Sequence, residues 1–439
     1  MTTKAKVFEF VGYKQRLNEG KVEFNYKIIF EDGKSEDFVE KLYLQNPDKG
    51  IIHDSLDLIL QNLLLMLGIS YYKLYCPKEI KINGFSLIRA QAEFWNIVYT
   101  KGLGEFFYKN KIDFRGLVNF PYTDSTSGVK LVKSDVSEHV LVPFGGGKDS
   151  IVTAQTLKER NIPFDSFTLN TSEIQQEVIK QLNINTIVVT RKLDPKIFRL
   201  NDKKEVYNGH IPITAIYSFV ALLVGHLYGF SEIIMSNERS ANYGNVPYLG
   251  TEINHQWSKS EEFEYLLHNY INQFITSGIN YYSFLRPYFE IEVIRQFVTW
   301  PQYLSLFSSC NSNFKIRDSG RTRMTNKTKK WCGECPKCAF VFACLCAFIE
   351  HEKVVGIFGH NLFNDITVVD TFRRLVGILD VKPFECVGTP DETKVALYLA
   401  YQNKVLRNNP VMDMFQREVL SNIADIDYLK QKVLSQLIK

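Results

Sequence analysis

Apolar and polar positions alternate with a period of two near the N-terminus and then change to helical spacing. The pattern predicts strands at 7–11, 21–30 and 38–44, with a hairpin turn at 31–34 between the second and the third. It also predicts helical regions at 54–67 and 87–108. Residues 1–130 are therefore predicted to form a small α+β domain. The polar stretch 124–128 is predicted to lie at its boundary.

Strand and helix patterns alternate from about residue 138 onward. The predicted strands lie at 140–144, 164–170, 186–191 and 232–236, and the predicted helices at 149–157, 172–182 and 212–228. Repeated strand–helix units form parallel sheets with helices on both faces, so residues 131–439 are predicted to form a doubly wound α/β domain. Ligands of such sheets bind beyond the carboxyl ends of the strands, where the strand order reverses.

One long apolar segment raises the question of a membrane span. Residues 211–230 contain no Asp, Glu, Lys or Arg, and a segment of about twenty such residues could cross a bilayer. We favour a helix buried against the sheet, because Pro212 stands at a first-turn position and Gly229 at the end. The sequence therefore predicts no membrane partner.

Composition and charge fit a soluble globular protein. The 439 residues are 45% hydrophobic and 23% charged, and the N-terminus lacks the basic and apolar regions of a signal peptide, so a cytoplasmic location is predicted. The net charge of +4 is too small to indicate a nucleic-acid partner. Basic residues cluster at 315–330, where a solvated loop and a loop that binds ligand phosphates both remain open.

A glycine-rich turn follows the first predicted strand of the α/β domain and leads directly into a helix. It consists of Gly145, Gly146, Gly147, Lys148, Asp149 and Ser150. The backbone N–H groups of such a turn can approach an anion closely, and the helix N-terminus adds unpaired donors and a positive partial charge. The Walker pattern is absent, because Lys148 is followed by Asp149 instead of Ser or Thr. The turn therefore predicts a phosphate site of another kind.

Polar side chains also follow other predicted strands of this sheet. They are Asn170 after the second strand, and Asn237, Glu238 and Arg239 after the fourth. The polar stretch continues to residue 260 and contains Glu252, His255 and Lys259, which are candidates for proton transfer because their pKa values can be tuned near neutrality. The alternative for this stretch is a solvent-exposed insertion. His210 is a further candidate, and a structural role is its alternative.

Cysteine spacing predicts a metal site. Cys332, Cys335 and Cys338 are separated by two residues each, and Cys310 can supply a fourth ligand for a tetrahedral Zn²⁺ of structural role. An iron–sulfur cluster is the competing interpretation. The other four cysteines, Cys76, Cys344, Cys346 and Cys386, are predicted to be reduced and mostly buried thiols.

The glycine turn resembles the pyrophosphate loop of the N-type ATP pyrophosphatases, Ser-Gly-Gly-x-Asp-Ser, with Gly145 in place of the first Ser. Members of that superfamily cleave ATP between its α and β phosphates and transfer AMP to an oxygen of the substrate. The resemblance implies a PP-loop fold, ATP as co-substrate and Mg²⁺ as cofactor. Asp149 would then help to hold the metal, and Ser150 would donate to phosphate.

Further motifs make the resemblance more specific. They are Gly-His-Ile-Pro-Ile-Thr-Ala at 209–215, Ser-Asn-Glu-Arg-Ser-Ala at 236–241, Glu-Ile-Asn-His-Gln-Trp-Ser-Lys-Ser at 252–260, Trp-Cys-Gly-Glu-Cys-Pro-Lys-Cys at 331–338 and Lys-Pro-Phe-Glu-Cys-Val-Gly-Thr at 382–389. With the loop, they resemble the MurL family of ATP-dependent UDP-N-acetylmuramoyl-L-alanyl-L-glutamate epimerases, which act in peptidoglycan precursor synthesis. The resemblance implies that UDP-MurNAc-L-Ala-L-Glu is the substrate and that an acyl-adenylate forms, with release of AMP and pyrophosphate.

Two other classes of function remain open at this stage. One is another PP-loop enzyme, either a 7-cyano-7-deazaguanine synthase or an RNA-modifying thiolase or ligase. The other is a non-enzymatic module that binds nucleic acid through the cysteine motif and the basic residues of 315–330. The intact pair of Asp149 and Ser150 argues against the second class.

Overall fold

The computed structural model describes residues 4–45, 53–124, 137–314, 330–379, 381–402 and 408–438. Its strands are β1 (Ala5–Arg16), β2 (Lys21–Phe30), β3 (Ser35–Leu44), β4 (Glu79–Ile82), β5 (Ser137–Pro143), β6 (Phe164–Leu169), β7 (Thr186–Lys192), β8 (Phe230–Met235), β9 (Val246–Tyr248), β10 (Thr251–Ile253) and β11 (Asn280–Ser283). Its α-helices are α1 (His53–Tyr72), α2 (Arg89–Gly102), α3 (Gly104–Lys109), α4 (Lys148–Glu159), α5 (Glu173–Leu182), α6 (Lys196–Asn201), α7 (Ile213–Tyr228), α8 (Glu261–Phe274), α9 (Glu290–Phe297), α10 (Pro336–Cys346), α11 (His351–Phe358), α12 (Val369–Leu375), α13 (Pro390–Gln402), α14 (Pro410–Met414) and α15 (Ile426–Val433).

A mostly parallel sheet of nine strands organises the fold, in the order β11-β8-β5-β6-β7-β3-β2-β1-β4. The strands from β11 to β7 run parallel to one another. The strand order reverses at β5, since the chain continues to β6 on one side of it and reaches β8 on the other. This confirms a mixed α/β protein with a large, mostly parallel sheet, while the specific PP-loop fold type stays a prediction.

The N-terminal strands extend the same sheet. β3 pairs antiparallel with β7, and β2 and β1 follow as an antiparallel meander whose hairpin lies at the predicted turn. A buried ion pair joins the two parts, with Arg191 Nε 2.6 Å from Glu40 Oε1. The domain boundary predicted in 124–128 lies almost entirely outside the described residues, and the division at residue 130 stays a prediction.

Helices cover both faces of the sheet. Leu141 of β5 belongs to a core cluster that contains side chains of α1 and α7, whereas its neighbours Val140 and Val142 pack in another cluster with Leu157 of α4. Successive side chains of a strand point to opposite faces, so these clusters lie on the two sides of the sheet. The apolar segment 211–230 forms α7, which is buried in the first cluster. Within the described residues, none of the helices is both long and apolar enough to cross a membrane.

The helical region predicted at 87–108 is helical and is divided into two helices, α2 and α3. Both helices use glycine where other chain segments approach closely. A Cβ on Gly102 would lie 2.9 Å from Cγ of Pro212, and one on Gly104 would lie 3.4 Å from Cδ1 of Ile253. Glu105, in the first turn of α3, contacts His255 in the loop that follows β10.

Candidate active site

The glycine loop lies at the position where the strand order reverses. It follows β5 at the centre of the sheet, and the polar stretch from residue 237 follows the neighbouring strand β8. The carboxyl ends of parallel strands share one edge of a sheet, so the loop and this stretch meet there. The structure thus brings together two of the regions that the sequence singled out.

Local contacts explain the shape of the loop. Gly146 has φ +75°, and a Cβ there would lie 2.8 Å from Cγ of Gln175. Gln175 also donates from Nε2 to the carbonyl of Phe144 at 3.0 Å, which fixes the loop from the other side. Gly147 is the N-cap of α4, and Ser150 Oγ donates to its carbonyl at 3.0 Å. The first turn of a twelve-residue helix therefore faces the carboxyl edge of the sheet, as an anion site requires.

A buried charge cluster adjoins the loop. Lys148 Nζ lies 2.7 Å from Asp149 Oδ1 and 2.6 Å from Glu290 Oε1, and Lys337 Nζ lies 2.5 Å from the same Glu290 oxygen. Burial alone would lower the pKa of Lys148, but Asp149, Glu290 and Glu238 raise it. Burial alone would raise the pKa of Glu290, but Lys148 and Lys337 lower it to about 2. Lys148 and Glu290 are therefore both charged at neutral pH.

Two carboxylate oxygens in this cluster lack a hydrogen-bond partner within the part of the chain that the structure describes. They are Oε2 of Glu238 and Oε2 of Glu290, both buried. Burial raises the pKa of Glu238, as do the negative charges of Asp149 and Glu290. Buried polar atoms are normally satisfied, and carboxylate oxygens are the ligands that Mg²⁺ prefers. Each of the two oxygens is therefore a candidate ligand for a divalent cation.

A second group of titratable side chains lies nearby. Glu105 Oε2 contacts His255 Nδ1, and His210 Nδ1 lies 3.5 Å from the same oxygen. The two imidazole rings have centroids 4.4 Å apart. A hydrogen bond links His255 to Cys386, a partly exposed thiol. The sequence predicted His255 and His210 here, but it singled out neither Glu105 nor Cys386.

The contacts of this group determine its charges. Burial alone would raise the pKa of Glu105, but its hydrogen bond to His255 lowers it to about 2. Burial alone would lower the pKa of His255, but hydrogen bonds to Cys386 and Glu105 raise it to about 9. Burial and the charge of His255 lower the pKa of His210 to about 3. At neutral pH the carboxylate is ionised, His255 is cationic and His210 is neutral.

Glu105, His210 and His255 have ligand atoms within 4.8 Å of one another, which is close enough for a metal ion. The surrounding charges argue for a hydrogen-bonded relay instead. Lys109 forms an ion pair with Glu105, and the positive charges of Lys109 and Lys73 already lower the pKa of His210. A divalent cation would add to this positive charge, whereas a proton shared between Glu105 and His255 satisfies both groups.

Lys259 connects the two groups. Burial alone would lower its pKa, but the negative charges of Cys386, Glu238 and Asp149 raise it, so its ammonium interacts electrostatically with both the thiol and the loop cluster. In the same way, Lys259 lowers the pKa of Cys386 to about 6 together with His255, against the effect of burial. The predicted proton-transfer candidates Lys259 and His255 are thus brought together with the loop.

Other residues singled out by the sequence have different surroundings. Glu252 lies exposed on β10, and Arg239 is exposed with Cζ 5.2 Å from the centroid of the Phe289 ring. Asn170 Nδ2 donates to the Arg191 carbonyl at 3.1 Å, and Asn170 Oδ1 accepts from the Arg191 backbone N–H at 2.8 Å. Asn237 Nδ2 donates to Ser283 Oγ at 3.1 Å. The basic residues predicted to bind phosphates lie outside the described residues except for Lys330, whose Nζ is 2.7 Å from Glu177 Oε2.

The four cysteines of the predicted metal site come together. The Sγ atoms of Cys310, Cys332, Cys335 and Cys338 lie within 4.8 Å of one another, and that of Cys338 is 3.7 Å from that of Cys332 and 3.5 Å from that of Cys335. Zn–S bonds of about 2.3 Å in a tetrahedron place sulfurs roughly 3.8 Å apart. The cluster could therefore hold a structural zinc ion, and a larger iron–sulfur cluster would need more widely spaced sulfurs.

These features define a mixed α/β protein with a glycine loop at a helix N-terminus and buried carboxylates at the reversal point of its sheet. Residues 1–284 match the family model described as the MurL N-terminal domain, and residues 306–428 match that of the MurL C-terminal domain. The chain belongs to the MurL family. This confirms the family resemblance of its motifs.

Three relatives carry the name UDP-N-acetyl-alpha-D-muramoyl-L-alanyl-L-glutamate epimerase. The one from Xanthomonas oryzae pv. oryzae is 36% identical over 361 residues, which cover 82% of this chain and 78% of the relative. The one from Micromonospora sp. is 35% identical over 409 residues, covering 92% and 89%. The one from Salinispora tropica is 33% identical over 411 residues, covering 92% and 87%. The similarity thus extends over nearly the whole chain.

Proposed function

We propose that this protein epimerises the terminal L-glutamate of UDP-MurNAc-L-Ala-L-Glu to D-glutamate, through an acyl-adenylate made from ATP, with release of AMP and pyrophosphate. The names of the three relatives support the substrate and the epimerisation. The observation that carries the ATP step is the loop Gly145 to Ser150 at the N-terminus of α4, beside buried carboxylate oxygens without partners. The cytoplasmic location predicted from the sequence is consistent with the use of ATP.

Activation of the carboxylate lowers the barrier of this reaction. Removal of the α-proton of glutamate would place a second negative charge beside the existing carboxylate. Transfer of AMP to that carboxylate gives a mixed anhydride whose acyl group is uncharged and can delocalise the charge that develops at the α-carbon. The proton can then leave one face and return on the other, and water releases AMP from the acyl group.

The loop and the carboxylates beside it have separate roles in this reaction. Backbone N–H groups of Gly145 to Ser150 hold the leaving pyrophosphate, with the helix N-terminus behind them. Glu238 and Glu290 each have a buried carboxylate oxygen without a partner among the described residues, and with Asp149 they would hold Mg²⁺, which when bound would spread the charge of the leaving group. Lys148 is buried against Glu290, so we assign it to holding these carboxylates in place.

Incubation in deuterated water with ATP, Mg²⁺ and UDP-MurNAc-L-Ala-L-Glu tests the proposal. We expect AMP, pyrophosphate and D-glutamate with deuterium at the α-carbon, detected by nucleotide chromatography and mass spectrometry. Omission of ATP is the matched control and should leave the α-carbon without deuterium. Intact ATP in the presence of the complete substrate would contradict the proposal, and so would formation of ADP and phosphate.

One specific observation favours an alternative function. The cysteine cluster resembles the cysteine motif of 7-cyano-7-deazaguanine synthases, which share the PP-loop chemistry. The same incubation separates the two, because such a synthase would leave the muropeptide precursor unchanged. The match of the chain to the MurL domains over 1–284 and 306–428 favours the epimerase.

A further inference from the structure

Cys386 is the one partly exposed thiol outside the metal cluster among the described cysteines. Three other cysteines, Cys76, Cys344 and Cys346, are buried, and burial raises the pKa of each thiol. Cys386 has the opposite surroundings, with a hydrogen bond to His255 and the positive charge of Lys259 beside it. Thiols near imidazolium and ammonium groups ionise readily, and the thiolate is the reactive form.

A carboxylate completes the arrangement behind the imidazole. Glu105 contacts Nδ1 of His255, and Glu105 is itself 4% exposed and paired with Lys109. The carboxylate thus contacts the imidazole, and the imidazole in turn lowers the pKa of the thiol. This is the order of groups by which proteins hold an imidazole in one orientation and activate a neighbouring nucleophile or base.

Backbone contacts fix His255 against the segment that carries Cys386. Asn245 accepts from the His255 backbone N–H at 2.7 Å, and its amide donates to the carbonyls of Lys382 and Pro383 at 3.2 and 2.8 Å. Gln256 Nε2 donates to the Val387 carbonyl at 3.2 Å. Residues on both sides of the thiol are therefore tied to His255 through Asn245 and to the following residue, Gln256. The pairing is built into the fold and does not depend on flexible side chains alone.

The thiol also lies within the electrostatic reach of the loop. Lys259 faces Cys386 as well as Glu238 and Asp149. Lys337 connects the two regions in the same way, since its Nζ is 2.5 Å from Glu290 and its charge lowers the pKa of Cys386. Cys386 and Lys259 are therefore linked electrostatically to the carboxylates beside the loop.

We propose that the Cys386 thiolate, held by His255 and Glu105, takes the α-proton of the activated glutamyl residue, and that the Lys259 ammonium supplies the returning proton. The inference rests on the proposed function. The C–H bond breaks, its electron pair moves onto the acyl group as an enolate, and an S–H bond forms. The enolate then takes a proton from Lys259 on its other face. Cys386 then loses its proton to solvent, beside the cationic His255, and Lys259 regains one from solvent.

In this scheme Cys386 and Lys259 are catalytic residues, and Glu105 is a positioning residue. The charged groups that face Cys386 are His255 and Lys259 from the loop after β10, Lys337 from α10 and Lys382 from its own segment, with Glu105 behind His255. Together they hold the thiol ionised at neutral pH. The rate of α-proton exchange should therefore fall as the pH drops below about 6, where the thiolate takes up a proton.

The Cys386→Ala variant separates proton transfer from adenylation. With ATP, Mg²⁺, substrate and hydroxylamine, the acyl-adenylate is trapped as a hydroxamate, and deuterium at the α-carbon is measured in parallel. We expect hydroxamate formation to persist while deuterium incorporation falls about 100-fold or more. Cys346→Ala, which removes a buried thiol of α10 outside the site, should retain both activities.

Each result of this experiment has a distinct meaning. Deuterium incorporation at the wild-type rate in Cys386→Ala would overturn the inference, as would loss of hydroxamate together with deuterium. A substrate adduct on Cys386 in the intact protein mass would make the thiol a nucleophile and would also overturn it. Absence of hydroxamate in the wild-type protein would instead contradict the proposed function.

The pH profile of alkylation gives a readout on the free protein. Iodoacetamide followed by peptide mass spectrometry should modify Cys386 at neutral pH faster than Cys344, with a rate that declines below about pH 6. Glu105→Gln should move this decline to higher pH, since the variant no longer stabilises the cationic His255 that supports the thiolate. An unmoved profile in Glu105→Gln would show that the carboxylate has no positioning role.

Discussion

Replacing Asp149 with alanine should reduce the release of pyrophosphate from ATP by at least about 100-fold, because a charged group that acts on the transferring phosphate is lost. The Asp149 carboxylate belongs to the loop cluster, with Oδ1 2.7 Å from Lys148 Nζ. Lys148 keeps its contact with Glu290 at 2.6 Å, so the buried ammonium retains a counter-charge. We therefore expect the fold to persist, with pyrophosphate release and thermal unfolding as the two measurements.

A surface acid provides the control for this variant. Asp370 is 69% exposed and pairs with Arg373 on α12. Surface ion pairs contribute about 0–1 kcal/mol, so Asp370→Ala should leave both the activity and the unfolding temperature nearly unchanged. Retained pyrophosphate release in Asp149→Ala would remove the loop from the mechanism.

Replacing Cys335 with serine should remove the metal and destabilise the C-terminal half of the protein. Structural zinc sites bind with an apparent free energy of about 10–16 kcal/mol at neutral pH, and this energy stabilises the folded state. Cys335 is also the N-cap of α10, the helix whose Lys337 holds Glu290. Loss of the metal should therefore lower the unfolding temperature and weaken ATP cleavage together.

Elemental analysis checks the metal directly. The wild-type protein should contain about one zinc per chain, by the four-ligand argument, and Cys335→Ser should contain much less. Cys346→Ala, on the same helix but outside the cluster, should keep its zinc. A brown protein that contains iron would contradict the assignment.

Local sequence patterns were enough to predict the parts of the fold that depend on neighbours along the chain. The glycine turn, the alternation of β6, α5, β7, α7 and β8, and the N-terminal hairpin are all local and are found where predicted. The cysteine cluster was predictable as well, because three of its ligands lie within seven residues of one another and their spacing has one common use.

The remaining site residues depend on contacts between distant parts of the chain. Glu105 and His255 are 150 residues apart, and Lys337 and Glu290 are 47 apart. No periodicity or spacing in the sequence relates such pairs. Cys386 resembled an ordinary buried thiol, and only its pairing with His255 distinguishes it. The addition of β3 to β7, which joins the N-terminal strands to the parallel sheet, is equally a long-range choice.

Some polar residues at strand ends have structural tasks that residue type alone does not reveal. Asn170 adopts φ 56° and bonds both backbone groups of Arg191, an arrangement that asparagine tolerates well. Asn237 bonds Ser283 of the next strand. The position of a residue at the carboxyl end of a strand therefore identifies the edge of the site, while its hydrogen bonds decide which side chains remain free for a ligand.

In the proposed reaction, the α-carboxylate of the substrate glutamate is adenylated at the loop before its α-proton moves. Substrate labelled with ¹⁸O in that carboxylate tests it most directly, with the AMP product analysed by mass spectrometry. The attacking oxygen becomes the bridge to phosphorus and stays with AMP when water attacks the acyl carbon. We expect AMP that carries ¹⁸O. Unlabelled AMP, or epimerised product formed without AMP, would contradict it.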